Sequence, residues 1–279
     1  MSLYQIAMIS DIHGNLNALK ACLKDIAKAE PDEIVCLGDI VAKGFHNHEC
    51  IELIRKNCST VLTGNCDEYF SRDLSSFENE REIRLVSEYQ KTMSEEDCLY
   101  LASLPFSYEC ILSGRLIRMF HAGPDSVNNY ISNTLYASPD QKYSMFLPSD
   151  KTESQRTADV VIFGHVHEQM LNRLYNRTLV CAGSVGNAFD LIRNPAKDGP
   201  VSNTVNAQYV LISGEKNSEE GVFNISFQSV PYDVSEELAG MKDFFEYDEF
   251  AFELLEGRYR NFDKIRKILL KDGIDLNEV

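Results

Sequence analysis

The chain has 279 residues, 44% of them hydrophobic and 25% charged, with a formal net charge of −16 at pH 7. That composition excludes wholesale disorder, and the length allows one large α/β domain with a sizeable core. The acidic balance weighs against stable binding along nucleic acid or an anionic membrane, because phosphate-backbone affinity comes from clustered Lys and Arg.

No apolar run approaches the roughly 20 residues that a membrane helix needs. The first ten residues carry neither a basic n-region nor a long apolar h-region, so no secretory leader is expected. Eight cysteines are scattered without a CxxC pair. Together these predict reduced thiols and a cytoplasmic protein, with neither a disulfide framework nor zinc knuckles.

In chain order, short runs rich in Val, Ile, Leu and Met predict buried strands at Ile6–Ile9, Ile34–Leu37, Val61–Leu62, Leu116–Phe120, Val160–Phe163 and Leu179–Cys181. Leu16, Leu19, Leu23 and Ile26 have helical spacing, with Asn15 as N-cap. A second helix is expected over His48–Lys56. Residues 71–103 read as helical and charged, with a variant capping box at Ser94-Glu95-Glu96-Asp97. Glu109–Phe120 reads as a hairpin around Ser113-Gly114.

Residues 124–157 hold three prolines and the aromatics Tyr130, Tyr136, Tyr143 and Phe146. They read as an insertion whose aromatics form its own core or stack a nucleobase. Tyr209–Ser213 and Val222–Val230 form a closing hairpin. From Ser235 the chain is helical and amphipathic. Its aromatic stripe is expected to be core or a dimer face, so a homodimer stays open, and the acidic run from Glu246 to Glu253 is expected to be a solvated helix face.

The residues at the strand exits are more informative than the strands. Asp11, Asp39, Asn65, His121, then His165 and His167, then Gly183 stand just past successive apolar runs. In open α/β sheets, sites assemble at the carboxyl ends of strands. Imidazole and oxygen donors suit Mn, Fe, Zn or Ni, and the set exceeds what one ion needs.

The phrases Asp11-Ile12-His13, Gly38-Asp39, Gly64-Asn65-Cys66-Asp67, His121-Ala122-Gly123 and Gly164-His165-Val166-His167, in that order, resemble the signature of the calcineurin-like metallophosphoesterase superfamily. The resemblance runs from residue 5 to about 190. It implies an α/β fold of two packed mixed β-sheets flanked by helices in four layers. A domain would span residues 1–232 with an insertion at about 124–157, and a C-terminal helical extension would span 233–279.

It also implies two divalent or trivalent metal ions. Asp11, His13 and His167 would hold the first, Asn65, His121 and His165 the second, and Asp39 would bridge. Two ions ~3.5–4 Å apart are a known device for hydrolysing phosphate esters, through a bridging hydroxide that attacks phosphorus in line. Loaded with two divalent ions and hydroxide, the pocket carries about +1, so a small phosphate ester can enter an acidic protein.

Many members of this superfamily carry a histidine where this chain has Cys66, and that histidine is thought to protonate the leaving group. Smaller bacterial and archaeal phosphodiesterases of the superfamily show G-N-C-D, as here. The resemblance therefore implies hydrolysis of small, nucleotide-like phosphodiesters, with Mn as the first-choice metal. A phosphomonoesterase or protein phosphatase and a metal-stabilised, non-catalytic scaffold are the alternatives. Candidate catalytic residues are Asp39, Asn65, Cys66 and, as a substitute acid, His46, with His48 beside it. Asp67 is expected to hydrogen-bond near a ligand or cap a helix. Arg193 could clamp a phosphate or form a surface salt bridge.

Overall fold

The protein is described as a computed structural model over residues 3–129, 137–189 and 206–260. Its first half runs β1 (Tyr4–Ile9), α1 (Leu16–Ala29), β2 (Glu33–Cys36), α2 (Asn47–Asn57), β3 (Thr60–Val61) and α3 (Asn65–Phe70). A 3-10 turn at Leu74–Ser76 leads into α4 (Glu80–Gln90), α5 (Glu95–Ala102), β4 (Ser107–Leu112) and β5 (Arg115–Phe120). The described elements then continue with α6 (Pro139–Ser144), β6 (Val160–Phe163), β7 (Gln169–Leu174), β8 (Arg177–Ala182), β9 (Ala207–Gly214), β10 (Phe223–Val230), α7 (Val234–Gly240) and α8 (Tyr247–Glu256).

Two five-stranded mixed sheets form, in the orders β10-β9-β1-β2-β3 and β4-β5-β6-β8-β7. Their centres are parallel, β1 with β2 and β3 in one sheet and β5 with β6 and β8 in the other, and the antiparallel pairings lie outside them. Alternation along β1 explains the layering. Ala7 and Ile9 pack with Leu19, Cys22 and Ile26 of α1, while Ile6 and Met8 pack with Ile117, Met119, Val160 and Ile162 of the facing sheet. A strand buried on both faces needs an uninterrupted apolar run, and β1 and β6 have one. The far face of the second sheet is closed by Phe120, Val161 and Phe163 against Met145 and Phe146. These are the four layers expected, helix, sheet, sheet and covering segment.

The local signals act as their chemistry predicts. Asn15 caps α1 by accepting from the Ala18 N–H at 3.0 Å. Ser94 and Asp97 form a reciprocal capping box on α5. Residues 71–103 are helical in three pieces rather than one, because Asn79 and Ser94 each start a new N-cap. The strand β7 escapes the sequence reading, since Gln169–Leu174 is mixed in polarity and buries chiefly Met170. Its signal was the two-residue turn Tyr175-Asn176, both at positive φ (48° and 65°), which folds β7 back on β8.

The insertion sends Met145 and Phe146 into the core, while its helix α6 buries no residue. Phe146 is fully buried, and the buried Arg118 guanidinium donates to the carbonyls of Phe146, Ser154 and Arg156 while pairing with Glu109 at 2.6 Å. Tyr143 packs on the edge of the same cluster. Tyr130, Tyr136, Arg193 and residues 261–279 lie outside the described residues. No described helix is long and apolar enough to cross a membrane.

One expectation holds only in part. In the run from Glu246 to Glu253, Asp248 and Glu249 are exposed, but Glu253 is fully buried. The helix α8 turns Phe250 and Leu254 into an apolar cluster with Val234, Leu238 and Met241 of α7 and its C-terminus, and Glu253 leaves the same buried side of the helix.

Candidate metal centre

Every ligand-type residue singled out from sequence stands just past the carboxyl end of a strand. Asp11 and His13 follow β1, Asp39 follows β2, His121 follows β5, and His165 and His167 follow β6, while Asn65 opens α3 after β3. The loops are tied together by backbone bonds. The Asp11 N–H donates to the Gly38 carbonyl (3.0 Å), and the N–H groups of Ile12 and His13 both donate to the Asp39 carbonyl (2.8 and 3.0 Å).

Asp11, His13, Asp39, His165 and His167 have φ of 54°, 50°, 54°, 69° and 63°. Non-glycine residues avoid this region, and a concentration of them at one place marks backbone held against local preference by surrounding structure. Two glycines make close approaches to the carboxylates themselves. A Cβ on Gly64 would collide with the backbone nitrogen and Oδ1 of Asp39, and one on Gly164 would collide with Ser10 Oγ and Asp11 Oδ2.

The side chains converge. His167 Nε2 lies 3.3 Å from Asp11 Oδ1 and 3.1 Å from His13 Nε2. Asp39 reaches both ways, its Oδ2 3.7 Å from His13 Nε2 and its Oδ1 3.5 Å from His121 Nε2. Asn65 Oδ1 stands 3.1 Å from His121 Nε2. The rings of His121 and His165 meet edge to face at 5.1 Å. The donor atoms of Asp11, His13 and His167 lie within 4.8 Å of one another, as do those of Asp11, Asp39 and His121.

Three imidazoles are oriented from behind. Nδ1 of His13 meets the Val41 carbonyl (3.2 Å), that of His121 the Leu37 carbonyl (3.0 Å), and that of His167 the Asn187 carbonyl (2.6 Å). A carbonyl only accepts, so Nδ1 carries the proton and Nε2 presents its lone pair inward. Asp67 is fully buried and accepts from the N–H groups of Asp39, Ile40, Val41 and Gly64 at 2.7, 2.9, 3.3 and 3.0 Å. It thereby both caps α3 and clamps the Asp39 loop.

Burial dominates the electrostatics. It pushes the Asp11 carboxyl up to about 7 and that of Asp39 up to about 6, and it holds His13, His165 and His167 well below the usual imidazole range. Neutral imidazoles beside carboxylates starved of positive charge are what a cation requires of its ligands. The fit has a second sign: Asp11 Oδ1 is buried with no hydrogen-bond partner among the described residues. A third is the 3.1 Å between the two facing Nε2 atoms. Two lone pairs that close repel, whereas two nitrogens on adjacent positions around one ion at ~2.1 Å each stand about 3 Å apart. The residues present therefore fit a metal centre.

Cys66 faces the same cluster. Its Sγ lies within 4.8 Å of donor atoms of His13 and Asp39, and its N–H donates to Asp39 Oδ1 at 2.8 Å. Burial pushes the thiol far above its ordinary value, so it stays neutral. The other two histidines are not brought to the cluster. His46 has its contacts with Phe45, Glu49 (3.8 Å) and Gly240 of α7. His48 is half-exposed and pairs with Asp97 at 2.7 Å.

Sequence reading missed what lies on the other side. Phe189 stacks on the His167 ring with centroids 4.6 Å apart, and Tyr259 tilts against Phe189 at 5.5 Å. Lys43, four residues after Asp39, places its Nζ 5.5 Å from both those ring centres. Its φ of 62° and the 78° of Ala42 were the only local sign, and no residue type announces them.

A family model described as calcineurin-like phosphoesterase matches residues 4–169, a span that contains all seven ligand-type residues, and the chain belongs to that family. It is 29% identical over 232 residues to an uncharacterized protein of Methanocaldococcus jannaschii, covering 82% of this chain and 88% of that one. In fold it is similar to a metallophosphoesterase from Sphaerobacter thermophilus, with TM-score 0.66 and 23% identity over 92% of this chain and 100% of the other. It is similar also to a hypothetical protein from Pyrococcus horikoshii OT3, with TM-score 0.66 and 17% identity over 91% and 99%. Family membership and the buried Asp and His clusters together make this protein a metal-dependent phosphoesterase.

Proposed function

We propose that the protein hydrolyses small phosphodiesters at a dinuclear centre in which Asp39 is the shared ligand. The observation that carries this reading is the placement of Asp39, whose two oxygens face different imidazoles, Oδ2 toward His13 and Oδ1 toward His121. Asp11, His13 and His167 would hold one ion on the first side, and Asn65, His121 and His165 the other on the second. Two such ions would neutralise charge on the phosphoryl oxygens and lower the pKa of water for in-line attack.

The chain's own groups set the rest. Asp67 and the carbonyls of Val41, Leu37 and Asn187 hold the ligands in one geometry. Asn65 and His165 are partly exposed, whereas Asp11, His13 and His167 are buried, so substrate approaches from the Asn65 and Cys66 side. A neutral thiol at position 66 is a weak proton donor. That supports esters whose leaving group departs without a proton, and we read these as diesters from the G-N-C-D phrase.

Manganese is our first choice of metal, and residues 1–232 are our catalytic unit with 233–279 as an extension packed on it. Eight free cysteines and the acidic surface support a cytoplasmic protein. The test is hydrolysis of matched aryl mono- and diesters by Mn-reconstituted protein. Faster turnover of the diester is expected, and preference for the monoester would overturn the diesterase assignment. No turnover with any metal would favour a non-catalytic scaffold.

A further inference from the structure

From the contacts of the C-terminal helix we infer that Glu253 is a positioning residue of the metal centre, holding Asn187 and Lys43 so that His167 keeps its place. This inference rests on the dinuclear centre proposed around Asp39. The chain of contacts is short. The Glu253 Oε2 accepts from Asn187 Nδ2 at 2.6 Å, although the two residues are 66 apart in sequence. The Asn187 carbonyl in turn receives His167 Nδ1 at 2.6 Å. On its other side Asn187 is pinned by its own N–H to Ser184 Oγ (2.8 Å), and that hydroxyl donates to the Asp11 carbonyl (2.7 Å). Asn187 thus stands between α8 and two ligand-bearing residues, and its orientation depends on the carboxylate that receives its amide.

The same carboxylate manages a charge. Lys43 Nζ pairs with Glu253 Oε2 at 3.3 Å, and the lysine is 15% exposed. Its Nζ stands 5.5 Å from the centre of the Phe189 ring, which itself stacks on His167, so the charge lies beside the ligand cluster. A cation there opposes the loading of further cations unless something offsets it. Glu253 does so. Burial pushes its carboxyl up, but Lys43 and Arg260 outweigh that and hold it below the usual range, so it is ionised. Arg260 closes the cluster with its Nε 2.8 Å from Glu253 Oε1 and its other end 3.3 Å from Glu246 Oε2.

Docking of the helix does not require this group. Phe250, Ala251 and Leu254 already seat α8 on Val234, Leu238 and Met241. A buried carboxylate is expensive to desolvate and adds little net stability when paired. Its use here is positional: it ties the end of the chain to one half of the metal centre, through Asn187 to His167 and through Lys43 to the local field.

The experiment is Mn titration of wild-type, E253A and E253Q protein by calorimetry, with thermal unfolding as the check on folding. Wild type is expected to bind two ions. E253A is expected to bind one of them about tenfold more weakly, as when a group behind a metal ligand is removed, and E253Q several-fold more weakly. In zinc-loaded protein the Nδ1–H resonance of His167 should shift in both variants while that of His121, held by Leu37, stays. A merely structural role would not single out His167. A wild-type isotherm in either folded variant overturns the inference, so E253Q decides it if E253A fails to fold. Wild-type protein that takes up no metal would overturn the dinuclear reading itself. Two ions in wild type and two equally tight in the variants would remove this inference alone.

Discussion

The Nε2 atoms of His13 and His167 face each other across 3.1 Å, and each ring is locked from behind by a backbone carbonyl on its Nδ1. Neither ring can rotate to offer a proton without breaking that bond. Two lone pairs that close repel, and a cation held by them with Asp11 and Asp39 would relieve the repulsion. The fold holds these side chains in an arrangement whose electrostatics call for metal, which leads directly to the first prediction.

Metal should stabilise the folded chain. Each site filled at a hundred times its dissociation constant adds about 2.7 kcal/mol. Thermal unfolding with manganese should therefore occur well above unfolding with chelator. D39N should lose most of that gain, and hydrolysis of an aryl diester should fall at least about 100-fold. A D39N protein with an undiminished manganese-dependent rise in Tm would show that Asp39 does not bridge.

Asp67 offers a sharper test of support from behind. Four backbone N–H groups point at its carboxylate. In D67N one oxygen becomes an NH2 that faces donors. Buried donors left without an acceptor cost about 1–3 kcal/mol, and the Asp39 loop loses its clamp. Denaturant unfolding should show that loss of stability, and manganese affinity should fall about 10- to 100-fold. Unchanged affinity with lowered stability would confine Asp67 to folding.

Position 66 should set the balance between substrates. Cys66 lies at the cluster with its backbone on Asp39 Oδ1, so a histidine there would bring an imidazole to the open side of the site. C66H should raise monoester over diester turnover by up to about 100-fold, the low end of what a positioned general acid contributes. The readout is the ratio of the two rates on one preparation. An unchanged ratio would mean that this position does not choose the substrate.

The surface pair His48–Asp97 predicts a pH dependence remote from the metal centre. The hydrogen bond that its Nδ1–H donates to Asp97 holds the His48 imidazole above its ordinary value, with Glu52 and Glu49 adding to it against burial. Its stability is therefore complete below about pH 6.5 and is lost as pH rises through the folded value. Burial pushes the Asp97 carboxyl up, but Ser94 and His48 outweigh it, so Asp97 contributes above its unfolded value and loses that contribution in acid. H48Q should destabilise near neutral and mildly acidic pH and be almost silent at about pH 9. The effect should not exceed about 1 kcal/mol, since His48 is half-exposed and screened by solvent. Equal destabilisation at both pH values would rule out a charged pair.

With the two-sheet architecture supplied by the resemblance its motifs carry, the amino-acid sequence by itself determined the buried strands and the seven ligand-type residues at their exits. The reason is that both are written in local chemistry. A strand buried on two faces must be apolar throughout, as Ile6–Ile9 and Val160–Phe163 are, and a metal ligand must be Asp, Asn or His next to a sharp turn. Asp67 was legible for the same reason, three residues past Gly64 at the start of a helix.

Only the tertiary structure decided what surrounds those residues. Glu253 lies in an acidic run that locally reads as solvent-facing, and its burial depends on α8 meeting Asn187 and Lys43, residues remote in the chain. Phe189, Tyr259 and Lys43 carry no motif, and they reach the His167 side of the centre through packing and left-handed backbone at positions 42 and 43. His46 stood out as a candidate acid from its place in the loop after Asp39, and the fold seats it beside Phe45 and Glu49. Ligand identity is a property of residue type and spacing, whereas orientation and charge balance belong to contacts between segments that no local pattern encodes.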